Sequence, residues 1–391
     1  MRTSPPVLRR RPPDLILFAA VLAIACIGLV MVYSASSVVA FDRLDDSAYF
    51  LKRQAMWIAL GLGAMWLARS IHYQRLRAYA IPLLLLAAAC MVAVLIPGIG
   101  RVAGGARRWI AAGPFSFQPV EIAKLALVLY LSHFATRRGA GIRDFRAGIL
   151  PPLAITAAFG LLVLRQPDMG SALLLGAVTM ALLFLAGARL LHLTAVALAA
   201  VPAIALAVLV AHYRLARVLA FLDPWRDPQG IGFHIIQSLL AFGSGGILGV
   251  GLGASRQKFF YLPERHTDFI FAILGEELGL LGTMGLLLLL AVVAYRGWRI
   301  ARAAPDRFGA LLASGITASI VAQALLNMGV TTGMLPVTGI PLPLVSFGGS
   351  SLVVTMVQIG ILLNISQYAH ASPEAAVGGM PAAGARAWST P

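Results

Sequence analysis

The chain has 391 residues, of which 59% are hydrophobic and only 12% are charged, and its mean hydropathy is +0.85. A soluble globular domain carries about twice that charged fraction, so the composition excludes a soluble protein and indicates an integral membrane protein. The net charge of +16 would suit nucleic acid, but the arginines interrupt apolar segments instead of forming basic runs with interleaved aromatic residues. Both cysteines lie inside apolar runs, which argues against a disulfide framework.

Apolar segments long enough to cross a bilayer follow one another along nearly the whole chain. A transmembrane helix needs about 20 apolar residues. Ten segments are predicted to span the membrane: 15–37, 54–71, 79–97, 119–136, 147–164, 170–188, 191–212, 269–295, 308–331 and 347–368. The first run is too long for a signal peptide, so it is predicted to be a span. The predicted fold is an all-α polytopic membrane protein.

The distribution of arginine predicts the orientation of the helices. An even number of spans places both termini on one side of the membrane. With the termini inside, the short inside segments hold arginines within 9–11, 69–77, 137–146 and 296–307, and the short outside loops hold fewer. Because cytoplasmic loops carry an excess of arginine and lysine, both termini are predicted to be cytoplasmic.

One outside segment, residues 213–268 between the seventh and eighth spans, is much longer than a simple connection. It is rich in glycine and in aromatic residues, which disordered segments lack. We therefore expect an ordered extracytoplasmic loop within a transmembrane domain over 15–368. Cytoplasmic tails are predicted over 1–14 and over 369–391, the second of them flexible and rich in glycine and proline.

Arg107, Arg108 and Trp109 follow two glycines in a predicted outside loop. Two guanidinium groups on such a loop can hold a pyrophosphate by paired hydrogen bonds, and the tryptophan offers a face to a sugar ring. The alternative is a loop whose arginines extend towards water beside an interfacial tryptophan. Both interpretations stay open on these residues alone.

Glu121 and Lys124 lie three residues apart in the fourth predicted span, so they share one helical face and can pair. Ionisable residues inside a span are rare and mark functional interiors or water-filled cavities. The alternative is a buried structural ion pair that joins helices.

The connection between the last two spans, residues 334–351, contains three prolines and three glycines and no charged residue. Irregular backbone at membrane depth survives only where protein or a cavity covers it. This loop is therefore predicted to fold back into the helical bundle and to line a site.

Residues 259–271 combine an aromatic cluster, a proline and several charged or titratable residues directly before an apolar helix. Asp268 lies at this boundary between water and bilayer. A half-desolvated carboxylate is energetically costly, and such carboxylates tend to be functional. The alternative is that Asp268 only caps the following helix, with aromatic interface anchors around it.

Together these stretches resemble the SEDS family (shape, elongation, division and sporulation), which includes FtsW, RodA and SpoVE. The resemblance covers nearly the whole chain, and five segments carry it in order: 106–119, 166–170, 232–238, 266–279 and 341–351. Residues 49–54 and 348–351 look closer to the FtsW and SpoVE branch than to RodA.

The resemblance implies a peptidoglycan glycosyltransferase that polymerises lipid II at the outer face of the bacterial cytoplasmic membrane, in cell division or a related septal process. An inverting transfer needs one general base to take the proton from the acceptor sugar's 4-hydroxyl, and the resemblance gives Asp268 that role. Fixed cations would offset the charge of the leaving pyrophosphate. The residues predicted to bind substrate are Arg107, Arg108, Trp109, Glu121, Lys124, His266, Ser346 and Ser350.

No cofactor is expected with certainty, because no residue cluster would hold a metal tightly, although a divalent cation (Mg2+ or Mn2+) could share in neutralising the pyrophosphate. The resemblance also implies partners: a single-span class B penicillin-binding protein that acts as transpeptidase, other divisome membrane proteins, and lipid II as substrate. Nucleic acid is not an expected partner.

A transporter that flips lipid II is the alternative from another functional class, because the intramembrane residues Glu121, Lys124, Glu276 and Glu277 would suit it. The polar features cluster at the outer face, however, and no inverted repeat of broken helices is visible. An elongation-type polymerase like RodA and a membrane scaffold that recruits a partner enzyme also stay open.

Overall fold

The computed structural model describes residues 11–103, 105–113, 115–257 and 267–368. In these ranges the chain is mainly helical. The helices are α1 Leu15–Leu44, α2 Tyr49–Ser70, α3 Tyr73–Leu76, α4 Ala80–Ala93, α5 Pro119–Arg138, α6 Leu150–Arg165, α7 Met169–Leu185, α8 Leu190–Leu209, α9 His212–Leu222, α10 Phe233–Gly245, α11 Ile270–Ala303, α12 Arg307–Thr331 and α13 Gly349–Ser366. A turn of π-helix, Phe145–Ile149, leads into α6.

The ten predicted spans coincide, in chain order, with α1, α2, α4, α5, α6, α7, α8, α11, α12 and α13. Within the described residues, seven helical stretches are long and apolar enough to cross a membrane: Leu15–Leu44, Tyr73–Ala93, Phe145–Arg165, Leu190–Leu209, Ile270–Ala303, Arg307–Thr331 and Gly349–Ser366. Among the remaining helices, α7 is apolar but has only 17 residues, and α2 and α5 carry more charge. The helical membrane class is confirmed, and the number of ten spans stays a prediction.

The centre of the bundle is α12, which packs against α5, α7, α11 and α13. Small residues permit these close approaches: a Cβ at Gly315 of α12 would lie 2.9 Å from the side chain of Leu182 of α7. At the periphery, α8 buries only 6% of its most apolar stretch. Its exposed leucines are expected in a membrane, where lipid is the solvent.

Three short strands between α4 and α5 form a small antiparallel sheet, which corrects the predicted loop and adds a β element to the predicted all-α fold. The strands are β1 Gly100–Ala103, β2 Ala106–Ala112 and β3 Phe115–Phe117, in the order β1-β2-β3. Gly105 and Gly113 have φ angles of +74° and +61°, which glycine adopts without steric cost, so the chain can reverse within two tight turns.

Contacts between the two ends of the chain identify the two sides of the helical bundle. The N–H of Arg11 donates to the carbonyl of Gln367 (3.0 Å), and the guanidinium of Arg296 in α11 pairs with Asp14 before α1 (2.8 Å from Nε to Oδ2). The start of α1 and the end of α13 therefore lie together, as the even number of predicted spans requires. We call this the terminal side, and the opposite side, where α11 begins, the site side.

The segment predicted as an ordered outer loop contains α9, a short 3-10 turn (Pro224–Arg226) and α10. It is fixed to the bundle, because Ser238 donates to the carbonyl of Thr331 (2.6 Å) and the N–H of Val250 donates to the carbonyl of Glu276 (3.0 Å). Residues 258–266, with the predicted site residue His266, and the tails 1–10 and 369–391 lie outside the described residues.

A carboxylate on the terminal side joins α3 to α12. Asp306 caps α12 by accepting from the N–H of Gly309 (2.6 Å), and it also accepts from the Tyr73 hydroxyl and the Gln74 amide (2.7 Å each). Burial alone would raise the pKa of Asp306, but the hydrogen bonds from Gly309, Gln74 and Tyr73 outweigh this and hold the pKa below its ordinary value.

We expect Asp306→Ala to lower the free energy of unfolding by about 1–2 kcal/mol, the usual loss for a helix N-cap. Because the pKa is lower in the folded chain, this stabilisation is present above the unfolded pKa of about 3.9 and is lost as the pH falls through the folded pKa. Unfolding of the wild type and of the variant in mixed micelles from pH 7 to pH 3 tests this. A stability difference that stays constant down to pH 3 would contradict it.

Candidate functional site

Asp268 lies on the site side, two residues before α11, with a half-buried side chain. The residue in the N-cap position of α11 is Phe269, and that position makes no side-chain capping hydrogen bond. The structure thus gives no support to the alternative in which Asp268 is only a helix cap. Its carboxylate oxygen Oδ2 would lie 3.4 Å from a Cβ placed on Gly339, so the carboxylate faces the loop between α12 and α13.

The loop over 334–351 folds back into the bundle, which confirms the prediction from its prolines and glycines. Ile340, Leu342, Leu344 and Val345 are all buried, with at most 3% exposure. An apolar loop of this kind can cover a site at membrane depth, because its backbone is enclosed by protein.

Asn327 of α12 fixes the backbone on both sides of the site. Its amide Nδ2 donates to the carbonyl of Asp268 (2.7 Å) and to that of Ile340 in the loop (2.8 Å). One buried side chain therefore sets the separation between the carboxylate residue and the loop. A site is most effective when such surrounding hydrogen bonds hold its groups in place.

Ser346, predicted to bind substrate, uses its hydroxyl inside the protein. The hydroxyl donates to the carbonyl of Thr267 (2.5 Å) and accepts from the N–H of Leu342 (2.8 Å). The serine therefore positions the chain next to Asp268. Direct contact of Ser346 with substrate stays a prediction.

Glu121 and Lys124 form the predicted ion pair, with Nζ 2.7 Å from Oε2 and about 5% of each side chain exposed. The ammonium also donates to Oε1 of Gln323 in α12 (2.6 Å), and the amide of Gln323 donates to the carbonyl of Pro341 (3.0 Å). This chain of polar contacts runs from α5 through α12 to the loop that faces Asp268. The geometry supports the structural alternative, and a substrate contact of either residue stays a prediction.

Arg107 and Arg108 lie on strand β2 at an irregularity in the sheet. Val102 faces Arg107 and Arg101 faces Trp109, so Arg108 is the extra residue of a β-bulge. A bulge redirects the side chains around it and is common beside functional sites.

The two guanidinium groups have different surroundings. Arg108 donates through Nε to the carbonyl of Gln166 (2.9 Å) and through Nη2 to that of Pro167, so much of its donor capacity is used. Arg107 donates to the carbonyl of Leu95 (3.3 Å), while its buried Nε has no hydrogen-bond partner in the described chain. Arg107 therefore has more N–H donors available for a phosphate than Arg108 has.

The turn between α6 and α7 brings the segment 166–170 to the same side. Asp168 caps α7, accepting from the N–H of Ser171 (2.9 Å) and from its hydroxyl (2.8 Å). A Cβ at Gly170 would come within 2.7 Å of Thr338 and 2.8 Å of Ile340. The start of α7 therefore packs directly against the loop that faces Asp268.

Arg217 of α9 is a site residue that the sequence analysis missed. Burial and the positive charge of Arg108 lower its pKa, and the negative charges of Asp268 and Asp168 act in the opposite direction. The guanidinium is therefore within electrostatic range of Asp268, Asp168 and Arg108, and it donates to the carbonyl of Val337 (3.3 Å). Arg108 and Arg217 together form a cationic region, and the charge of Asp268 acts on its Arg217.

A cavity of about 90 Å³ lies beside this cationic region, between α7, α9, α12 and the loop after α12. Its wall is mainly apolar, with Met169, Leu173 and Leu326 among the residues that line it, and Arg217 borders it. Its volume is below the range of small-molecule sites, so it has room only for the carbons next to the anionic group of a lipid.

The other predicted substrate-binding residues are more dispersed. Trp109 lies half-buried on β2, opposite Arg101, and Ser350 at the start of α13 accepts from the N–H of Gln118 (3.3 Å) just before α5. These contacts keep the sheet, α5 and α13 together on the site side. His266 lies outside the described residues, so its predicted role is untested.

Glu276 and Glu277 are buried in α11 and fix neighbouring segments. Glu276 accepts from the Ser255 hydroxyl and from the N–H of Arg256 (2.9 Å), which anchors the chain that leads towards Asp268. Both carboxylate oxygens of Glu277 lie within 2.7 Å of the Ser34 hydroxyl in α1. In the residues that the structure describes, no group of three or more His, Cys, Asp or Glu side chains could hold a metal ion. The divalent cation stays a prediction.

Fold and site together define a class of protein: a polytopic helical membrane protein with a half-buried carboxylate beside arginines at one end of the bundle. The model of the family of FtsW, RodA and SpoVE, described as "Cell cycle protein", matches residues 14–371. The chain belongs to this family, and the predicted resemblance is confirmed.

Individual relatives match over almost their full length. Stage V sporulation protein E of Bacillus subtilis is 45% identical over 362 residues, covering 93% of this chain and 99% of that protein. A probable peptidoglycan glycosyltransferase FtsW of Geobacter sulfurreducens is 45% identical over 360 residues, covering 92% of this chain and 96% of that protein. These names agree with the predicted FtsW and SpoVE branch.

Solved structures share the fold. A chain from a peptidoglycan synthase complex that coordinates polymerization and crosslinking has a TM-score of 0.76 and 34% identity, covering 90% of this chain and 97% of that one. The rod shape determining protein RodA of Thermus thermophilus has a TM-score of 0.68 and 30% identity, covering 92% and 98% of the two chains.

Proposed function

We propose that the chain polymerises lipid II at the outer face of the bacterial cytoplasmic membrane, with Asp268 as the general base. The chain is a peptidoglycan glycosyltransferase, the activity in the names of FtsW relatives 45% identical to it. The observation that carries the assignment of the base is the position of Asp268. Its half-buried carboxylate faces an enclosed loop and does not occupy the N-cap position of α11.

The transfer requires one proton acceptor and a stabilised leaving group. Asp268 would take the proton from the acceptor sugar's 4-hydroxyl as that oxygen attacks the anomeric carbon of the donor, and the bond to the lipid pyrophosphate breaks. The pyrophosphate leaves with negative charge, which fixed cations in a partly desolvated site stabilise. Arg217 and Arg108 supply such cations, since the charges of Asp268 and Arg108 both act on Arg217, and the apolar cavity beside Arg217 could take the first carbons of the lipid chain.

The test of the function is polymerisation of lipid II by the purified chain. We expect glycan strands to form, and to lengthen when a class B penicillin-binding protein is added as the crosslinking partner. This expectation follows the structural likeness to a complex that coordinates polymerization and crosslinking. Transport of lipid II across vesicles without polymer would favour the flippase alternative instead.

The orientation can be tested independently with cysteine labelling. In a Cys26→Ala, Cys90→Ala background, we expect Gln229→Cys to react with an impermeant maleimide in intact spheroplasts and Ala140→Cys to react only after lysis. Both positions are exposed, Gln229 between α9 and α10 and Ala140 next to α5 on the terminal side. The reverse labelling pattern would overturn the outward-facing site.

A further inference from the structure

A second cavity, of about 450 Å³, lies on the terminal side between α4 and α5, far from the Asp268 site. Its volume falls within the range of small-molecule sites. We call it the basic cavity, and it is lined by Ile81, Tyr130, His133, Phe134, Arg137 and Arg138. All but Ile81 belong to α5, at spacings of three and four residues, so they share one helical face.

The outer part of the basic cavity is cationic. Arg137 and Arg138 lie exposed in the last turn of α5, and neither forms an ion pair within the described part of the chain. The guanidinium of Arg138 lies over the ring of Phe134, 5.4 Å from its centroid, which limits the positions of that charge. Arg77, in the turn before α4, is close enough for its charge to act on His133. Clustered arginines of this kind recognise phosphate oxygens by charge-assisted hydrogen bonds.

The inner part of the basic cavity is apolar except for one nitrogen. Tyr130 lies eight residues before Arg138, about 12 Å deeper along the helix axis. Ile81 on the α4 wall is 49% exposed, so this wall is continuous with the lipid-facing surface of the bundle. Nδ1 of His133 is buried and has no hydrogen-bond partner among the described residues, although a buried polar atom without a partner is energetically costly.

We propose that the basic cavity binds the headgroup of an anionic phospholipid from the adjoining leaflet, such as phosphatidylglycerol. Its phosphate diester would lie between Arg137 and Arg138, a headgroup oxygen would reach Nδ1 of His133, and an acyl chain would follow Ile81 and Tyr130. The apolar wall that opens to the bilayer favours a lipid over a soluble phosphate, which would use only the cationic part. This site is separate from the Asp268 site and does not depend on the proposed function.

The test compares lipid binding to the purified full-length chain by native mass spectrometry from detergent micelles that contain phosphatidylglycerol and phosphatidylcholine. We expect the wild type to retain phosphatidylglycerol, and Arg137→Gln/Arg138→Gln to weaken its binding about 25-fold, since each arginine near the membrane surface contributes about fivefold. The matched control is Arg299→Gln/Arg302→Gln. It removes the same charge near the end of α11, where both arginines lie over aromatic rings, as Arg138 does, and neither of them lines the basic cavity.

Equal retention by the wild type and the α5 double variant would overturn the proposal, and so would an equal loss in the α11 control. Displacement of the lipid by glycerol phosphate at equal concentration would show a soluble phosphate site instead. A second measurement needs no substitution: phosphatidylglycerol with a photoreactive acyl chain should label the wild type on α4 and on α5 between 130 and 138. Labelling spread evenly over the other helices would contradict the proposal.

Discussion

Asp268→Asn is expected to leave a folded, well-expressed protein that forms almost no glycan. Asparagine keeps the size and polarity of the side chain, and the hydrogen bond from Asn327 uses the backbone carbonyl of Asp268, which the substitution retains. The negative charge is lost, and with it the ability to accept a proton. Removal of a general base typically lowers a rate by about 10²–10⁴-fold. The measurement is the amount and length of glycan on a gel, from equal amounts of purified wild type and variant.

The matched control is Asp42→Asn, which makes the same chemical change at an exposed position near the end of α1, also on the site side. We expect this variant to polymerise lipid II at the wild-type rate. Near-normal polymer from Asp268→Asn would remove the catalytic assignment, and a matching loss in Asp42→Asn would show that surface charge on this side is what matters. Thermal unfolding of both variants should match that of the wild type, which separates catalysis from stability.

The helices could be predicted from the sequence because apolar length is a sufficient signal in a membrane protein. Lipid-facing and buried positions of a span are both apolar, so a run such as Leu15–Leu44 identifies a helix whether or not its contacts are known. No comparable pattern in the sequence indicates the three-stranded sheet. Its strands β1 and β3 have four and three residues, too few to show alternation, and β2 contains two adjacent arginines that suggest a solvated loop.

The parts of the site that could be predicted are likewise those with a signal in the local sequence. Asp268 stands out as a charged residue in an apolar sequence, and the loop 334–351 stands out by its prolines and glycines. Both signals can be read from the local sequence. Asn327 is a neutral polar residue inside a span, where nothing distinguishes it until the fold places it against Asp268, 59 residues away. Arg217 resembles any other arginine of an amphipathic helix, and its contact at Val337 is 120 residues away. Such partners depend on tertiary packing.

The largest expected loss of stability follows from removing Glu121, the buried partner of Lys124. The pair with Glu121 is about 95% buried, and Glu121 lies in the first turn of α5, where the helix dipole favours a negative charge and disfavours the neighbouring ammonium. Glu121→Ala would leave that ammonium with Gln323 as its only acceptor in the described chain. Breaking a buried pair in this way costs about 3–5 kcal/mol, whereas replacement of both partners can be nearly neutral.

Glu121→Ala should therefore unfold more easily than Glu121→Gln/Lys124→Met, which removes both charges and keeps their volume. The control is Lys52→Ala, which breaks the exposed pair with Asp46 (2.9 Å) and should change stability little, because water screens that pair. Unfolding in mixed micelles measures all three variants, and glycan synthesis is measured in parallel. A stable double variant with full activity would establish the structural role. If the double variant is stable but inactive, the two charges act on substrate. If the single and double variants are destabilised equally, Glu121 and Lys124 do not compensate each other's charge.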